Sequence, residues 1–265
     1  MLDPTQRFSS RAQDYVRYRP GYPPALLDLL KEHCRLTPQT VVADVGSGTG
    51  LLTKLFLDYG CRVFAVEPNR EMREAAEALV GGHPNFVSVA GRAEATGLPA
   101  ASVDLVTAGQ AFHWFEPEAA VAEFRRILAA PGGVALVWNE RLVDATPFLA
   151  AYEALLQTYG TDYRAVDHRR VGRADLVRWF GAGPLHIALD NRQDLDLAAA
   201  QGRLLSSSYV PLAGQPGHEA MLAAFREIFA AHQVGGRVAF LYTTQVYLWA
   251  FDGERFTAPP SAGLS

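Results

Sequence analysis

Residues 41–50 read Val-Val-Ala-Asp-Val-Gly-Ser-Gly-Thr-Gly, and residues 51–56 continue Leu-Leu-Thr-Lys-Leu-Phe. The β-branched apolar run that begins at Val41 predicts a buried strand, and it stops at Gly46, Gly48 and Gly50. Leu51, Leu52, Leu55, Phe56 and Tyr59 then recur at helical spacing until Gly60 ends the pattern. Strand, glycine turn and helix form the first half of a βαβ unit. The glycines allow a tight bend and let a ligand lie against the main chain, where a Cβ would collide. The free N–H groups at the helix start supply hydrogen-bond donors.

The spacing narrows the ligand. A dinucleotide fingerprint asks for a third glycine at position 51, where this chain has Leu51, and the glycine comes one place early at Gly50. Asp44 puts a carboxylate at the end of the first strand. Arg62 to Val66 reads as a second strand followed by an acid, Glu67, where a ribose diol would be gripped. Asp44-Val45-Gly46-Ser47-Gly48-Thr49-Gly50 resembles the first motif of the class I S-adenosylmethionine-dependent methyltransferases, and Glu67 resembles their ribose-binding acid.

That resemblance covers roughly residues 10–142. It implies S-adenosylmethionine as cofactor, with S-adenosylhomocysteine as product. The implied cofactor site comprises Asp44, Gly46, Ser47, Gly48, Gly50, Glu67, Pro68, Met72, Arg92, Ala93, Glu94, Gln110, Ala111 and Phe112. The family's G-D-A-E junction reads Gly91-Arg92-Ala93-Glu94 here, so Arg92 replaces the acid that takes the adenine amino group. Glu94 or a backbone group is left to make that contact. Tyr18-Arg19-Pro20-Gly21-Tyr22-Pro23 is similar to the Y-R-P-x-Y-P segment of the trans-aconitate-type enzymes. It implies that Tyr18 and Arg19 close over the cofactor, with Tyr15 and Tyr22 near the acceptor; the plainer reading is a structural cap whose tyrosines cover apolar core. The Leu128-x-x-Pro131-Gly132-Gly133 run is a further match and reads as structural.

Composition sets outer bounds. The chain has 265 residues, 49% hydrophobic and 20% charged, ordinary for a globular α/β protein. Lys and Arg number 24 against 28 Asp and Glu, so a net charge of −4 gives no basic field for a phosphate backbone. Cys34 and Cys61 form no C-x-x-C pair, and no residues have zinc-ligand spacing. No membrane span or signal-peptide core is evident. The expected setting is cytoplasmic, as a monomer or homodimer acting on a small molecule, without nucleic acid, metal or membrane.

The remaining pattern predicts an α/β fold: a Rossmann-like, doubly wound, seven-stranded sheet, mostly parallel with an antiparallel last strand, plus a helical lid. Expected segments are an N-terminal cap (1–36), a cofactor-binding core (37–142), a variable helical lid carrying the sixth strand (143–236), the last strand (237–252) and a flexible tail (253–265). Strands are expected at 86–90, 103–109, 134–139, 185–189 and 238–251. The arginines at 164, 169, 170, 173 and 178, interleaved with acids, read as a solvated face, with steering of an anionic substrate as the alternative.

Polar and aromatic residues gather where strands end. Gln110-Ala111-Phe112-His113-Trp114-Phe115 follows the fourth strand, and Trp138, Asn139 and Arg141 end the fifth. In the resembled family the first of these loops reaches the substrate. His113 is the candidate general base, because an imidazole titrates near neutral pH. Trp114, Trp138, Asn139, Arg141 and Tyr209 are candidate acceptor contacts, although each is also a reasonable packing residue. A carboxylate acceptor would need no base, only a cation such as Arg19 or Arg141. A nicotinamide oxidoreductase is disfavoured by Leu51 and by the lack of a Tyr-x-x-x-Lys pair. A non-catalytic cofactor-binding module, or a nucleic-acid or protein methyltransferase, stays as an alternative.

Overall fold

The computed structural model describes residues 17–161, 163 and 171–259. Its main strands are β1 (Val41–Val45), β2 (Arg62–Val66), β3 (Phe86–Val89), β4 (Val103–Gly109), β5 (Leu128–Arg141), β6 (Leu185–Leu195) and β7 (Val238–Phe251). They lie in the order β3-β2-β1-β4-β5-β7-β6. β1 to β5 pair in parallel, and β7 is antiparallel to both β5 and β6. The doubly wound sheet with one reversed strand is therefore the fold found. Its order turns back between β1 and β4, the place where an open α/β sheet leaves a crevice at its carboxyl edge.

Helices cover both faces. α1 (Ala25–Cys34) and α2 (Leu51–Tyr59) bury Leu26, Leu30 and Phe56 against Val63, Leu105 and Leu248. α3 (Arg70–Val80) adds Val80 to the same cluster and is capped by Asn69, whose Oδ1 accepts the Met72 N–H at 2.9 Å. On the other face, α4 (Pro117–Ile127) and α6 (Arg173–Phe180) pack Phe124 and Phe180 with Phe112 and Trp249. Phe180 stacks on Trp249 at 4.0 Å between centroids.

A third cluster decides where the site lies. α5 (Pro147–Tyr159), α7 (Leu197–Leu205) and α8 (His218–His232) bury Phe148, Leu204 and Phe225 with Phe240 and Tyr242. Because β7 is reversed, its first residues lie beside the carboxyl end of β5, where Tyr242 is paired with Arg141. The helical cluster thus stands over the edge of the sheet that carries the ligand crevice.

Three boundaries differ from those the sequence predicts. β5 begins at Leu128 instead of Val134: Leu128 pairs with Val103, and the register shifts before Gly133 pairs with Leu105. An irregular ladder tolerates Pro131, which an unbroken central strand would not. β6 runs on to Leu195 because β7 pairs with it throughout. Its inner face is only partly buried and its outer face is polar, so the run 190–194 carries no apolar signal. The expected flexible tail is corrected as well. Phe256–Thr257 forms a short β8 on β7, and Phe256 is buried with its ring 5.2 Å from those of Phe180 and Phe251. Among the described residues no helix is long and apolar enough to cross a membrane.

Candidate functional site

The carboxyl edge of the sheet opens into one cavity of about 590 Å³ that extends from the glycine loop to the underside of the helical cluster. That size suits a drug-sized or cofactor-sized ligand. Most of the residues predicted from sequence line it: Arg19, Tyr22, Asp44, Gly46, Ser47, Gly48, Glu67, Pro68, Met72, Arg92, Ala93, Glu94, Gln110, Ala111, His113, Trp114, Asn139, Arg141 and Tyr209.

The glycine loop is held by its own backbone and by the two acids. The N–H groups of Gly46 and Ser47 donate to the Val66 carbonyl at 2.8 and 3.1 Å, so the loop is pinned to the end of β2. Glu67, 8% exposed, accepts the Gly48 N–H on Oε2 and the Asn69 N–H on Oε1, each at 2.9 Å. Burial raises its pKa above the ordinary glutamate value, against the pull of those N–H groups and of Arg73. Asp44 is fully buried and accepts the Thr53 hydroxyl at 2.6 Å and the Thr107 hydroxyl at 3.3 Å. Burial pushes its carboxyl up to about 6 despite both donors. Asp44 therefore ties β1 to α2 and β4 beneath the loop.

The loop also carries unspent capacity. Ser47 Oγ and Thr49 Oγ1 line the cavity, are buried, and have no hydrogen-bond partner among the described residues. Buried hydroxyls left without partners point to a polar ligand. Gly48, at φ +55°, has nothing within 4 Å of where a Cβ would stand, so its face is open to the cavity. These features fit a nucleoside whose ribose approaches Glu67 and the loop.

The loop after β4 is strained. Gln110 has φ +55°, uncommon for a side chain of its size and frequent at ligand sites. It is held there by Gln110 N–H to the Val137 carbonyl at 2.8 Å and by Nε2 to the Asn139 carbonyl at 2.9 Å. Just before it, a Cβ on Gly109 would collide with the Tyr22 hydroxyl, so this glycine lets the N-terminal segment lie across the sheet end. No sequence pattern marked Gly109.

Several expectations need correction. Phe112 is 1% exposed and packs among Phe115, Phe124, Trp179 and Phe180, so it supports the loop without touching the cavity. Trp138 is also buried, edge-on to Tyr247, and does not line the cavity. Gly50 caps α2 and backs onto Ala76. Tyr18 lies against Gly202 of α7, where its ring occupies the space of a side chain. Asn139 lines the cavity, yet its amide is used internally: Nδ2 donates to Gly21, and Oδ1 accepts from Thr244 and Asn191. Arg92 sits exposed at the rim, and Glu94 Oε1 accepts the Glu116 N–H. Tyr15 and the arginines at 164, 169 and 170 lie outside the described residues, while Arg178 makes a surface pair with Asp175.

His113 is repositioned chemically as well. The Trp138 indole N–H donates to His113 Nδ1 at 3.3 Å. An indole nitrogen can only donate, so Nδ1 accepts and the neutral ring carries its proton on Nε2. In that tautomer Nδ1 is committed to the indole and offers no lone pair for a general base. Its partner Trp138 is visible as an aromatic at a strand end, but only the folded sheet brings the two rings together.

The sequence reading missed the cap side of the cavity. Glu153, Gln157 and Tyr163 from and after α5, Arg203 and Ser208 from and after α7, and Tyr242 of β7 all line it. Glu153 pairs with Arg141 and accepts the Tyr163 hydroxyl at 2.6 Å. These residues are scattered over ninety positions with no motif, and β7 gathers them.

Comparisons with known proteins agree with this geometry. Residues 43–137 match a family model described as a methyltransferase domain. An uncharacterized methyltransferase of Mycobacterium tuberculosis is 39% identical over 140 residues, which are 52% of this chain and 54% of that protein. A methyltransferase-like protein of Schizosaccharomyces pombe is 33% identical over 156 residues, 58% of this chain and 59% of its own. The chain thus spans about half the length of the curated relatives it matches. Among solved structures, a chain described as a type II methyltransferase of Anaeromyxobacter dehalogenans superposes with a TM-score of 0.66 at 24% identity, over 90% of this chain and 99% of that one. A Haemonchus contortus phosphoethanolamine N-methyltransferase, bound to phosphomonomethylethanolamine and S-adenosylhomocysteine, superposes at 0.53 and 13% identity, over 95% of this chain and 59% of that one. The matched segment and the sheet order identify residues 43–137 as a methyltransferase domain on the class I S-adenosylmethionine-dependent fold.

Proposed function

We propose that this protein transfers the methyl group of S-adenosylmethionine to an oxygen or nitrogen of a small-molecule acceptor, a carboxylate included. The observation that carries the reading is a continuous cavity, which joins the glycine loop and Glu67 to a polar chamber under the helical cluster. A cofactor at the loop and an acceptor under the helices would then meet in one enclosed space. The resemblance of Tyr18–Pro23 to the trans-aconitate-type segment supports an acid among the candidates. The segment 143–236 acts on this reading as the lid that selects the acceptor over the core of 37–142.

When bound, the sulfonium cofactor supplies an activated methyl carbon. What the chain must do is orient and exclude water. Glu67 and the Ser47 and Thr49 hydroxyls would hold the nucleoside end, and Arg19 would serve the cofactor's carboxylate. Alignment of the two reactants is worth on the order of 7–11 kcal/mol in favourable cases. His113, which lines the cavity beside Trp114, positions the acceptor on this reading. An acceptor that arrives already ionised suits this arrangement, because no base is then required.

The test is methyl-donor turnover against a panel of carboxylic acids, phenols and amines, read as S-adenosylhomocysteine formed. Turnover on one class supports the reading; tight S-adenosylhomocysteine binding without turnover on any would favour a non-catalytic module. His113→Ala is expected to lower kcat on the order of tenfold to a hundredfold, the worth of one positioning contact to a charged group, with S-adenosylhomocysteine affinity changed by less than about threefold. Unchanged kcat with weakened cofactor binding would move His113 to the cofactor side.

A further inference from the structure

Among the described residues, the underside of the helical cluster holds a buried guanidinium that no carboxylate balances. Arg203, on α7, is 5% exposed and lines the cavity. Its Nε donates to the Tyr242 hydroxyl at 3.2 Å and its Nη1 to the Ser207 hydroxyl at 3.3 Å, both neutral partners. No carboxylate pairs with it among the described residues. Arg141, across the strand pair from Tyr242, has a side chain 9% exposed. Its Nη2 serves Glu153 and the Tyr163 hydroxyl, while its Nη1 is buried without a partner among the described residues.

A buried guanidinium without a counter-ion is costly, and an apolar residue of similar volume would stabilise α7 better. Glu153 balances only Arg141. Glu140 also lines the cavity but accepts from Gln245, and as the neighbour of Arg141 on β5 it projects from the opposite face. Tyr209 reports the resulting field. Burial by itself would raise its phenol, yet the guanidiniums of Arg19 and Arg203, a hydrogen bond with Ser207 and the guanidinium of Arg141 together outweigh burial and leave it below the ordinary tyrosine value.

We infer that this chamber is a seat for an anionic group on the methyl acceptor, a carboxylate or a phosphate, gripped by Arg203 together with the unpaired Nη1 of Arg141. Guanidinium forks match both groups in shape, and Tyr209 stands beside them in the cavity lining. The inference rests on the methyl-transfer reading for the word acceptor, but the seat itself rests on Arg203 and Arg141 alone.

The experiment is calorimetric titration of the whole chain, saturated with S-adenosylhomocysteine, with succinate, inorganic phosphate and succinamide. Succinate or phosphate is expected to bind at least about tenfold tighter than the neutral amide. Which of the two wins separates a carboxylate seat from a phosphoryl seat. Arg203→Gln should erase the preference while S-adenosylhomocysteine affinity stays within about threefold, and Arg203→Lys should restore part of it. Equal binding of succinate and succinamide by the unaltered chain, no binding of either anion, or a preference that survives Arg203→Gln would overturn the seat. The comparison in the unaltered chain decides by itself if Arg203→Gln does not fold. Failure of S-adenosylhomocysteine to bind would instead overturn the methyl-transfer reading, and the same titrations on the chain alone would still decide the seat.

Discussion

Gly48→Val is expected to weaken S-adenosylhomocysteine binding more than about a hundredfold, the largest loss any single substitution in the core should produce. Two effects add. Gly48 sits at φ +55°, where a β-branched residue is strained. Its Cβ direction meets no protein atom within 4 Å, so the valine methyls would fill the space a nucleoside needs. The Gly48 N–H that donates to Glu67 would shift with them, disturbing that carboxylate too. Calorimetry of S-adenosylhomocysteine binding, paired with a thermal scan to show the variant folded, checks this. Affinity within about threefold of the original would place the nucleoside elsewhere.

Asp44 should give the second largest effect, with a pH dependence attached. Asp44→Ala removes the acceptor of the Thr53 and Thr107 hydroxyls, leaving two buried donors unpaired beneath the loop. S-adenosylhomocysteine affinity is expected to fall by more than about a hundredfold, again by calorimetry. Asp44→Asn keeps the shape and one acceptor oxygen, and isolates the charge. In the native chain the carboxyl titrates at about 6, against 3.8 for an unperturbed aspartate. Between those values the folded state holds more protons than the unfolded one, so stability falls as pH rises from about 4 to 6. The span corresponds to roughly 3 kcal/mol. Glu67, raised by burial in the same direction, contributes a further slope. Asp44→Asn should remove the part that Asp44 supplies, leaving the slope of Glu67 and the opposite one of Glu123, whose carboxyl Arg126 holds down at about 2. Denaturant midpoints at pH 4 and pH 7 measure it, and an unaltered difference between them would show that Asp44 is ionised at no such cost.

What was legible in the sequence follows from locality. The glycine loop, Glu67 and the Asn69 cap lie within thirty residues, and each is a backbone requirement of a strand–turn–helix unit. Such requirements leave residue-type marks at fixed spacing, so the nucleoside end could be written down before any coordinates. The interior strands were legible for a similar reason, since burial on both faces demands unbroken apolar runs. β6 was under-read because an edge strand needs only a partial apolar face, and Phe256 because a single anchored aromatic makes no pattern.

The acceptor end had no such marks. Arg141, Arg203 and Tyr242 come from β5, α7 and β7, and they meet because a reversed strand was inserted between β5 and β6. The His113–Trp138 contact, which decides the proton's place on the ring, likewise joins the ends of two neighbouring strands. By itself the sequence determined the α/β class, the doubly wound sheet and the glycine loop, because these depend on periodicity and on glycines within one local unit. Only the tertiary structure decided which side chains face the chamber, which arginines lack a counter-ion and which histidine nitrogen accepts, because those depend on contacts between residues far apart in the chain.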